Sequence, residues 1–177
     1  MSRLKKGFVQ VYTGNGKGKT TAAIGVAVRA AGSGFKTLIV QFMKEYPYGE
    51  LESLKNLEKW ITIRQFGKDE FVYKGQKPLD EDIKTAKSAA KYVQENMLNK
   101  EYDIIILDEI IVAVYFELLQ VNEVVELIKS KPEGLELILT GRYCPKEIID
   151  LADLVTEMKE VKHYYTKGIL SRKGIES

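Results

Sequence analysis

The sequence predicts a three-layer α/β fold with a mainly parallel central sheet, on three observations. Six short runs rich in branched apolar residues recur along the 177 residues, and stretches with helical spacing separate them. Strands that alternate with helices favour a parallel sheet. Residues 104–107 (Ile-Ile-Ile-Leu) are apolar at every position, which is typical of a central strand covered on both faces.

The predicted elements follow the chain in alternation. Helical spacing covers residues 22–31, and residues 80–99 carry the single apolar stripe of a long amphipathic helix. Residues 70–78 hold turn residues and aromatic side chains, which predict a loop. The runs predicted to form strands are residues 8–12, 37–42, 61–66, 104–107, 136–139 and 154–158.

Composition limits the classes of protein that the chain can represent. A mass of 20.1 kDa with 45% hydrophobic residues fits a single domain over residues 1–177. The formal net charge of +2 predicts no broad basic surface for nucleic acid, and no apolar run reaches the length of a membrane span. Because Cys144 is the only cysteine, no internal disulfide can form, which favours a reducing, cytoplasmic compartment.

The strongest motif is a glycine-rich loop between the first predicted strand and the first predicted helix. Residues 13–21 read Thr-Gly-Asn-Gly-Lys-Gly-Lys-Thr-Thr, which is typical of a Walker A phosphate-binding loop. Its glycines allow backbone N–H groups to turn inward around a phosphate chain at a helix N-terminus. The residues predicted to bind ATP are Gly14, Asn15, Gly16, Lys17, Gly18, Lys19, Thr20 and Thr21.

Two residues of this loop have distinct predicted roles. Lys19 supplies positive charge to the phosphates, and the Thr20 hydroxyl is placed to hold a magnesium ion. The usual motif begins with glycine where Thr13 stands, so the first glycine comes one residue late. The alternative is a glycine-rich turn without a ligand, but the flanking strand and helix favour a P-loop NTPase-like (RecA-like) fold.

A second motif follows the most apolar strand. Asp108 and Glu109 end this run as in a Walker B strand, whose carboxylates lie beside the phosphate loop and its metal. Asp108 is predicted to bind the metal through water. Glu109 either ligates the metal directly or, in a hydrolase, polarises an attacking water. Alternatively, the two residues only cap the following helix.

These motifs, in this order, resemble the P-loop family of ATP:cob(I)alamin adenosyltransferases, also called corrinoid adenosyltransferases. The resemblance spans nearly the whole chain. The family transfers the 5′-deoxyadenosyl group of ATP to the Co(I) centre of a reduced corrinoid, either cobalamin or a precursor, and releases triphosphate. Beyond the phosphate loop, the resemblance rests on residues 40–44 (Val-Gln-Phe-Met-Lys), 107–109 (Leu-Asp-Glu), 140–142 (Thr-Gly-Arg), 150–158, 161–163 and 174–176.

The resemblance implies how the site is used. The family binds ATP in the reverse sense to most P-loop proteins, so the loop grips the terminal phosphate and the ribose faces the corrinoid. Charge on the leaving triphosphate would be neutralised by Lys17, Lys19 and a metal ion. From the two motifs, the residues predicted to hold this Mg²⁺ or Mn²⁺ ion are Thr20, Asp108 and Glu109. Because Co(I) is a strong nucleophile, no general base is needed, and the catalytic residues implied are Lys19 and Glu109.

Three further residues are assigned through the resemblance. In the family, a loop with two aromatics one residue apart wedges beneath the corrin ring and displaces the lower axial ligand. Phe71 and Tyr73 stand in that loop, although the family often has Trp where Tyr73 aligns, and both rings could instead pack into the core. Arg29 matches an arginine near the sugar and base of ATP, or is an exposed helix residue.

Other polar residues have open roles. Arg142, Gln41 and Lys44 follow predicted strands, where they either line the ligand crevice or serve as ordinary surface residues. Cys144 is interpreted as an incidental thiol, and His163 as a structural hydrogen-bonding residue.

The family also implies partners. These are a second copy of the chain in a homodimer and an electron-donating flavoprotein. Many members have a longer N-terminal segment that helps to close the site, whereas here the first predicted strand begins at residue 8. The alternative class is a P-loop NTPase or nucleoside kinase acting on the terminal phosphate. A nucleotide-gated binding module without turnover is a third hypothesis.

Overall fold

The computed structural model describes residues 4–45, 48–67 and 78–176. The strands are β1 (Val9–Thr13), β2 (Thr37–Phe42), β3 (Ile61–Phe66), β4 (Ile104–Asp108), β5 (Glu136–Thr140) and β6 (Leu154–Glu157). The α-helices are α1 (Lys19–Gly32), α2 (Gly49–Leu54), α3 (Asp80–Asn99), α4 (Ile110–Tyr115), α5 (Val121–Lys129) and α6 (Lys146–Ile149). Short 3₁₀ helices form at Lys55–Leu57 and Tyr164–Lys167.

All six strands form one parallel sheet in the order β3-β2-β4-β5-β1-β6. This confirms the predicted α/β class with a parallel sheet. β5 lies between β1 and β4. The strand that leads into the glycine-rich loop is therefore separated from the strand that carries Asp108 by one intervening strand.

Side-chain alternation along the strands builds a core on each face of the sheet. One face packs against α3, α4 and α5, with Val11, Val40 and Leu107 among its buried residues. The other face packs against α1, whose Ala23 and Ala27 are buried, and against α2. Helices on both faces explain why β4 is apolar along residues 104–107, as predicted for a central strand.

The predicted element positions are confirmed, with small shifts at some ends. β1 starts one residue later than predicted because the N–H of Phe8 donates to the side chain of Glu136 at 2.7 Å. β4 and β5 each extend by one polar residue, Asp108 and Thr140. α1 begins at Lys19, three residues earlier than predicted, directly after Gly18 with φ 118°. The predicted loop at residues 70–78 lies, except for residue 78, outside the described residues.

Two glycines of the loop are required by a close approach of the chain. Gly16 N–H donates to the carbonyl oxygen of Met158 at 2.6 Å, and Met158 N–H donates to Thr13 at 2.8 Å. A Cβ atom added at Gly14 or at Gly16 would lie 2.5 or 2.7 Å from that same carbonyl oxygen. The segment after β6 thus packs directly on the glycine-rich loop and leaves no room for side chains there.

None of the helices in the described part of the chain combines the length and the apolar character that crossing a bilayer requires.

Gly16→Ala tests this close approach. The new methyl group would overlap the Met158 carbonyl oxygen, so we expect a loss of about 1–3 kcal/mol in the free energy of unfolding and weakened nucleotide binding. Gly25→Ala is the matched control, because Gly25 lies at an exposed position of α1 and an added Cβ would have no atom within 4 Å apart from the neighbouring helix backbone. It should raise stability by up to about 1 kcal/mol. Urea unfolding measures the free energy of unfolding of both variants. Equal values for the two would contradict the close packing of Met158 on Gly16.

Candidate active site

The carboxyl edge of the sheet collects polar side chains from neighbouring strands. The register sets Gln41 of β2 beside Asp108 of β4 on one side and beside Gln65 of β3 on the other. Thr140 ends β5, which is the next strand after β4. Because neighbouring strands lie about 4.8 Å apart, these side chains form one polar row at the edge where α/β sheets bind ligands.

Asp108 lies at the centre of this row and is 1% exposed. Its Oδ1 accepts hydrogen bonds from the hydroxyl groups of Thr20 and Thr140, each at 2.7 Å. Its Oδ2 accepts from Gln41 Nε2 at 3.1 Å and from Lys44 Nζ at 2.7 Å. The end of β4 is thereby tied to α1, to β5 and to the end of β2.

Lys44 supplies the positive charge that the buried carboxylate of Asp108 requires. Burial by itself lowers the pKa of Lys44. The attraction of Asp108 and its hydrogen bond outweigh burial, so the pKa of Lys44 is raised above its ordinary value. The ammonium group also lies 5.0 Å from the centroid of the Tyr48 ring. Lys44 is therefore held as a cation at the mouth of the crevice.

Glu109 has different surroundings from Asp108, its neighbour in sequence. Its backbone is left-handed with φ 63°, and its N–H donates to Thr140 Oγ1 at 3.0 Å. Burial raises the pKa of the Glu109 carboxyl group and Asp108 raises it further, while the nearby cations, chiefly Lys44, lower it. In the part of the chain that the structure describes, no group donates a hydrogen bond to this carboxylate, so its oxygens are available to a ligand.

Lys19 folds back over its own loop. Its Nζ donates to the carbonyl oxygens of Gly14 at 2.8 Å and Gly16 at 2.7 Å, and the residue is 7% exposed. Burial lowers the pKa of Lys19 and nearby Arg142 lowers it further, whereas Glu109 raises it. The ammonium group is thus centred on the loop and held there by neutral acceptors.

A cavity of about 470 Å³ opens beside the start of α1 and the two carboxylates. One wall combines the first two turns of α1, the start of α2 and the residues that follow β2 and β4, through Thr20, Thr21, Ile24, Glu50, Lys44 and Glu109. A second wall is formed by Gly174, Ile175 and Glu176, from a segment far along the chain. Cations and carboxylates therefore surround one space next to the glycine-rich loop.

The segment that forms this second wall is attached to the loop by an ion pair. Lys17 Nζ lies 2.7 Å from Glu176 Oε1 and 3.2 Å from the hydroxyl of Tyr164. Arg172 also pairs with Glu176, with Nη2 at 3.1 Å from Oε1, and stacks over the Tyr164 ring at 4.7 Å. Hydrogen bonds from Arg172 and Lys17 lower the pKa of Glu176, so it is ionised at neutral pH.

The other residues considered from sequence take different positions. Asn15 is exposed and borders a second cavity of about 320 Å³ together with Tyr143. Arg29 is exposed ten residues beyond Lys19, about 15 Å along α1, and its charge acts on Tyr12. Its assignment to ATP stays a prediction. Phe71 and Tyr73 lie outside the described residues.

Arg142, Cys144 and His163 are placed more clearly. Arg142 is exposed, forms no ion pair within the described ranges, and acts electrostatically on both Lys19 and Glu109, so its charge lies near the site. Burial raises the pKa of the Cys144 thiol to about 12, which fits an unreactive side chain. His163 Nδ1 accepts from the N–H of Tyr165 at 3.0 Å, so the predicted structural hydrogen bond is confirmed.

The donors around Thr20 suit a hard divalent cation. Among residues 4–45, 48–67 and 78–176, no group of three or more His, Cys, Asp or Glu side chains could hold a metal by itself. Instead, the Thr20 hydroxyl and the Glu109 carboxylate are among the oxygen groups that line the cavity. Mg²⁺ is typically bound by one or two protein oxygens, with the remaining positions filled by water and phosphate oxygens. The residues present therefore fit a Mg²⁺ ion that is completed by a phosphate ligand.

Comparison with known proteins identifies the family. Residues 5–177 match the family described as ATP:corrinoid adenosyltransferase BtuR/CobO/CobP. The chain belongs to this family. It is 34% identical to the corrinoid adenosyltransferase of Escherichia coli K12, over 97% of this chain and 86% of the relative. It is also 34% identical, over the same shares, to corrinoid adenosyltransferase CobA of Salmonella typhimurium, and 32% identical to the Pseudomonas aeruginosa corrinoid adenosyltransferase, over 99% and 86%.

Two contacts of this adenosyltransferase-family site could not be read directly from the sequence. The bridging role of Thr140, between Asp108 and the backbone of Glu109, was not predicted. One signal was present, because a polar residue ends the apolar run of β5 just as Asp108 ends that of β4. The pairing of Lys17 with Glu176 had no such signal, since it joins residues 159 positions apart.

Glu176→Gln tests how the second wall acts on the site. The substitution removes a negative charge beside the loop and releases Lys17, so we expect ATP to bind about two- to fivefold more tightly. Glu126→Gln is the control, because Glu126 pairs with Lys129 on the surface of α5. Titration calorimetry with ATP and Mg²⁺ measures the effect. Weaker binding by Glu176→Gln would mean that the attached wall, rather than the freed lysine, dominates ATP affinity.

Proposed function

We propose that the protein transfers the 5′-deoxyadenosyl group of ATP to the Co(I) centre of a reduced corrinoid, cobalamin or a precursor, and releases triphosphate. The observation that carries this proposal is the match to the ATP:corrinoid adenosyltransferase family over residues 5–177. The geometry supports it, because Thr20 and Glu109 line a cavity beside the glycine-rich loop on which Lys19 is centred.

The proposed reaction is a nucleophilic displacement at carbon. The electron pair of Co(I) attacks C5′ of ATP and forms a Co–C bond, while the C5′–O5′ bond breaks and its electron pair leaves with the triphosphate oxygen. No proton has to be removed from the nucleophile. The only histidine of the chain, His163, is accordingly engaged in a backbone hydrogen bond, and its role is structural.

The protein's contribution is to bind triphosphate and neutralise the charge that develops on it. Lys19, centred on the loop, and Lys17, at its edge, bind phosphate oxygens, and the loop N–H groups add neutral donors. The ATP-binding set that we propose is the one predicted from sequence: Gly14, Asn15, Gly16, Lys17, Gly18, Lys19, Thr20, Thr21 and Arg29.

We propose that Thr20 and Glu109 hold a Mg²⁺ or Mn²⁺ ion directly, and that Asp108 supports it through Thr20 and a water molecule. Both Asp108 oxygens already accept two hydrogen bonds, which favours the indirect role. When bound, the ion supplies charge neutralisation on the triphosphate. Thr20 is oriented for this because its hydroxyl proton points to Asp108, leaving its oxygen lone pairs for the metal.

The wider proposal follows the family resemblance. It comprises a single domain over residues 1–177, a cytoplasmic location, a homodimer and an electron-donating flavoprotein partner.

The reaction is tested by anaerobic incubation with ATP, Mg²⁺ and chemically reduced cobalamin. We expect a light-sensitive cobalt–carbon product and one equivalent of intact triphosphate. Lys19→Ala should lower the rate by about 10²-fold or more, because it removes the charge at the centre of the loop. Lys91→Ala, on the exposed face of α3, is the control. Release of ADP and orthophosphate, or of a phosphorylated product, would instead support a P-loop NTPase or kinase.

The aromatic pair Phe71 and Tyr73 is proposed to pack beneath the corrin ring and to displace the lower axial ligand of cobalt. Tyr73→Ala should therefore impair adenosylation that starts from Co(II), by about tenfold or more, but should affect the reaction with prepared Co(I) much less. Tyr73→Trp, which keeps a large flat ring, should retain both activities. Parallel assays from Co(II) and Co(I) decide the matter, and equal losses in both would refute the assignment.

A further inference from the structure

Lys44 lies in the candidate site without a role in the reaction described above. Its ammonium group borders the cavity together with Thr20 and Glu109, and 14% of its side chain is exposed. An ammonium group carries three N–H donors. Asp108 accepts one of them, and within the described part of the chain no other oxygen accepts from Lys44. Two N–H donors therefore remain for a ligand.

The backbone around Lys44 is built to place it there. Met43 has φ 56°, a left-handed conformation that non-glycine residues rarely adopt, and it turns the chain sharply after β2. Gly67, after β3, packs closely against this turn. A Cβ atom added at Gly67 would lie 2.6 Å from the backbone nitrogen of Lys44. Strained backbone held by close packing is concentrated at functional sites. The turn thus directs a lysine over the end of β2 and onto Asp108.

The position of Lys44 complements that of the two loop lysines. Lys17 and Lys19 belong to the loop after β1, whereas Lys44 follows β2, on the other side of Asp108 in the sheet. Thr20, which donates to the same carboxylate, lies between them. A triphosphate chain that extends from the loop past Thr20 would meet Lys44 next. Cations would then contact this chain from both sides.

We propose that Lys44 is a third triphosphate-binding lysine of the site, which Asp108 positions and which contacts phosphate oxygens through its two remaining N–H groups. The proposal rests on the proposed function for the identity of the ligand as ATP, but not for the fate of the adenosyl group. A lysine that only neutralised Asp108 would change triphosphate affinity by no more than the roughly two- to fivefold effect of a nearby charge, provided that the carboxylate kept a hydrogen-bond donor.

The test uses variants that separate these roles. Lys44→Gln keeps an N–H donor for Asp108 but removes the charge, Lys44→Arg keeps the charge, and Lys91→Gln removes a surface charge on α3. Calorimetry measures binding of Mg²⁺-tripolyphosphate, Mg²⁺-ATP and adenosine. For Lys44→Gln we expect about tenfold weaker binding of tripolyphosphate and ATP with unchanged adenosine binding. The affinities of Lys44→Arg for tripolyphosphate and ATP should stay within about threefold of the wild-type values. Lys91→Gln should have wild-type affinities.

Two outcomes would overturn the proposal. One is a loss of tripolyphosphate affinity of about fivefold or less for Lys44→Gln, which a nearby charge alone explains. The other is an equal loss of adenosine affinity, which would indicate a change in cavity shape. If Lys44→Gln does not fold, lysine acetylation of the wild-type protein decides instead. Tripolyphosphate should slow modification of Lys44 and adenosine should not, and an unchanged rate contradicts the contact. Because none of these measurements involves corrinoid, they stand even if the products prove to be ADP and orthophosphate.

Discussion

The buried carboxylate of Asp108 is the constraint on which the rest of the site depends. A carboxylate removed from water is destabilising unless it is paired and hydrogen-bonded on all sides. Its four donors come from the start of α1, the end of β2, the turn after β2 and the end of β5. Satisfying one charge therefore sets the relative positions of the phosphate loop, the cavity wall and the neighbouring strands.

Each lysine of the site is held by an oxygen of the protein itself. Lys19 contacts loop carbonyl oxygens, Lys17 contacts Glu176, and Lys44 contacts Asp108. A polyanion that enters this site meets cations whose positions are already ordered, so little side-chain entropy has to be lost on binding. The same arrangement means that a ligand must compete with existing partners, most directly at the exposed Lys17 and least at Lys44.

The sequence predicted those parts of the fold and site that are encoded locally. Each strand has its own run of branched apolar residues, and the phosphate loop and Asp108 follow such runs directly, so their positions were correct to within a few residues. Contacts made by tertiary pairing were not predictable in this way. The insertion of β5 between β1 and β4, and with it the role of Thr140, depends on strand order. Neither the strand order nor the contact between Glu176 and the loop can be predicted from local periodicity in the sequence.

The strand order also has a consequence for how the chain is made. Among the described strands, β1 pairs only with β5 and β6, in a register that sets Val9 against Leu137 and Gln10 against Leu154. During translation the first strand must therefore wait for more than a hundred later residues to leave the ribosome before either neighbour exists. Until then β1 is an unpaired segment, and unpaired strands make incomplete chains prone to aggregate.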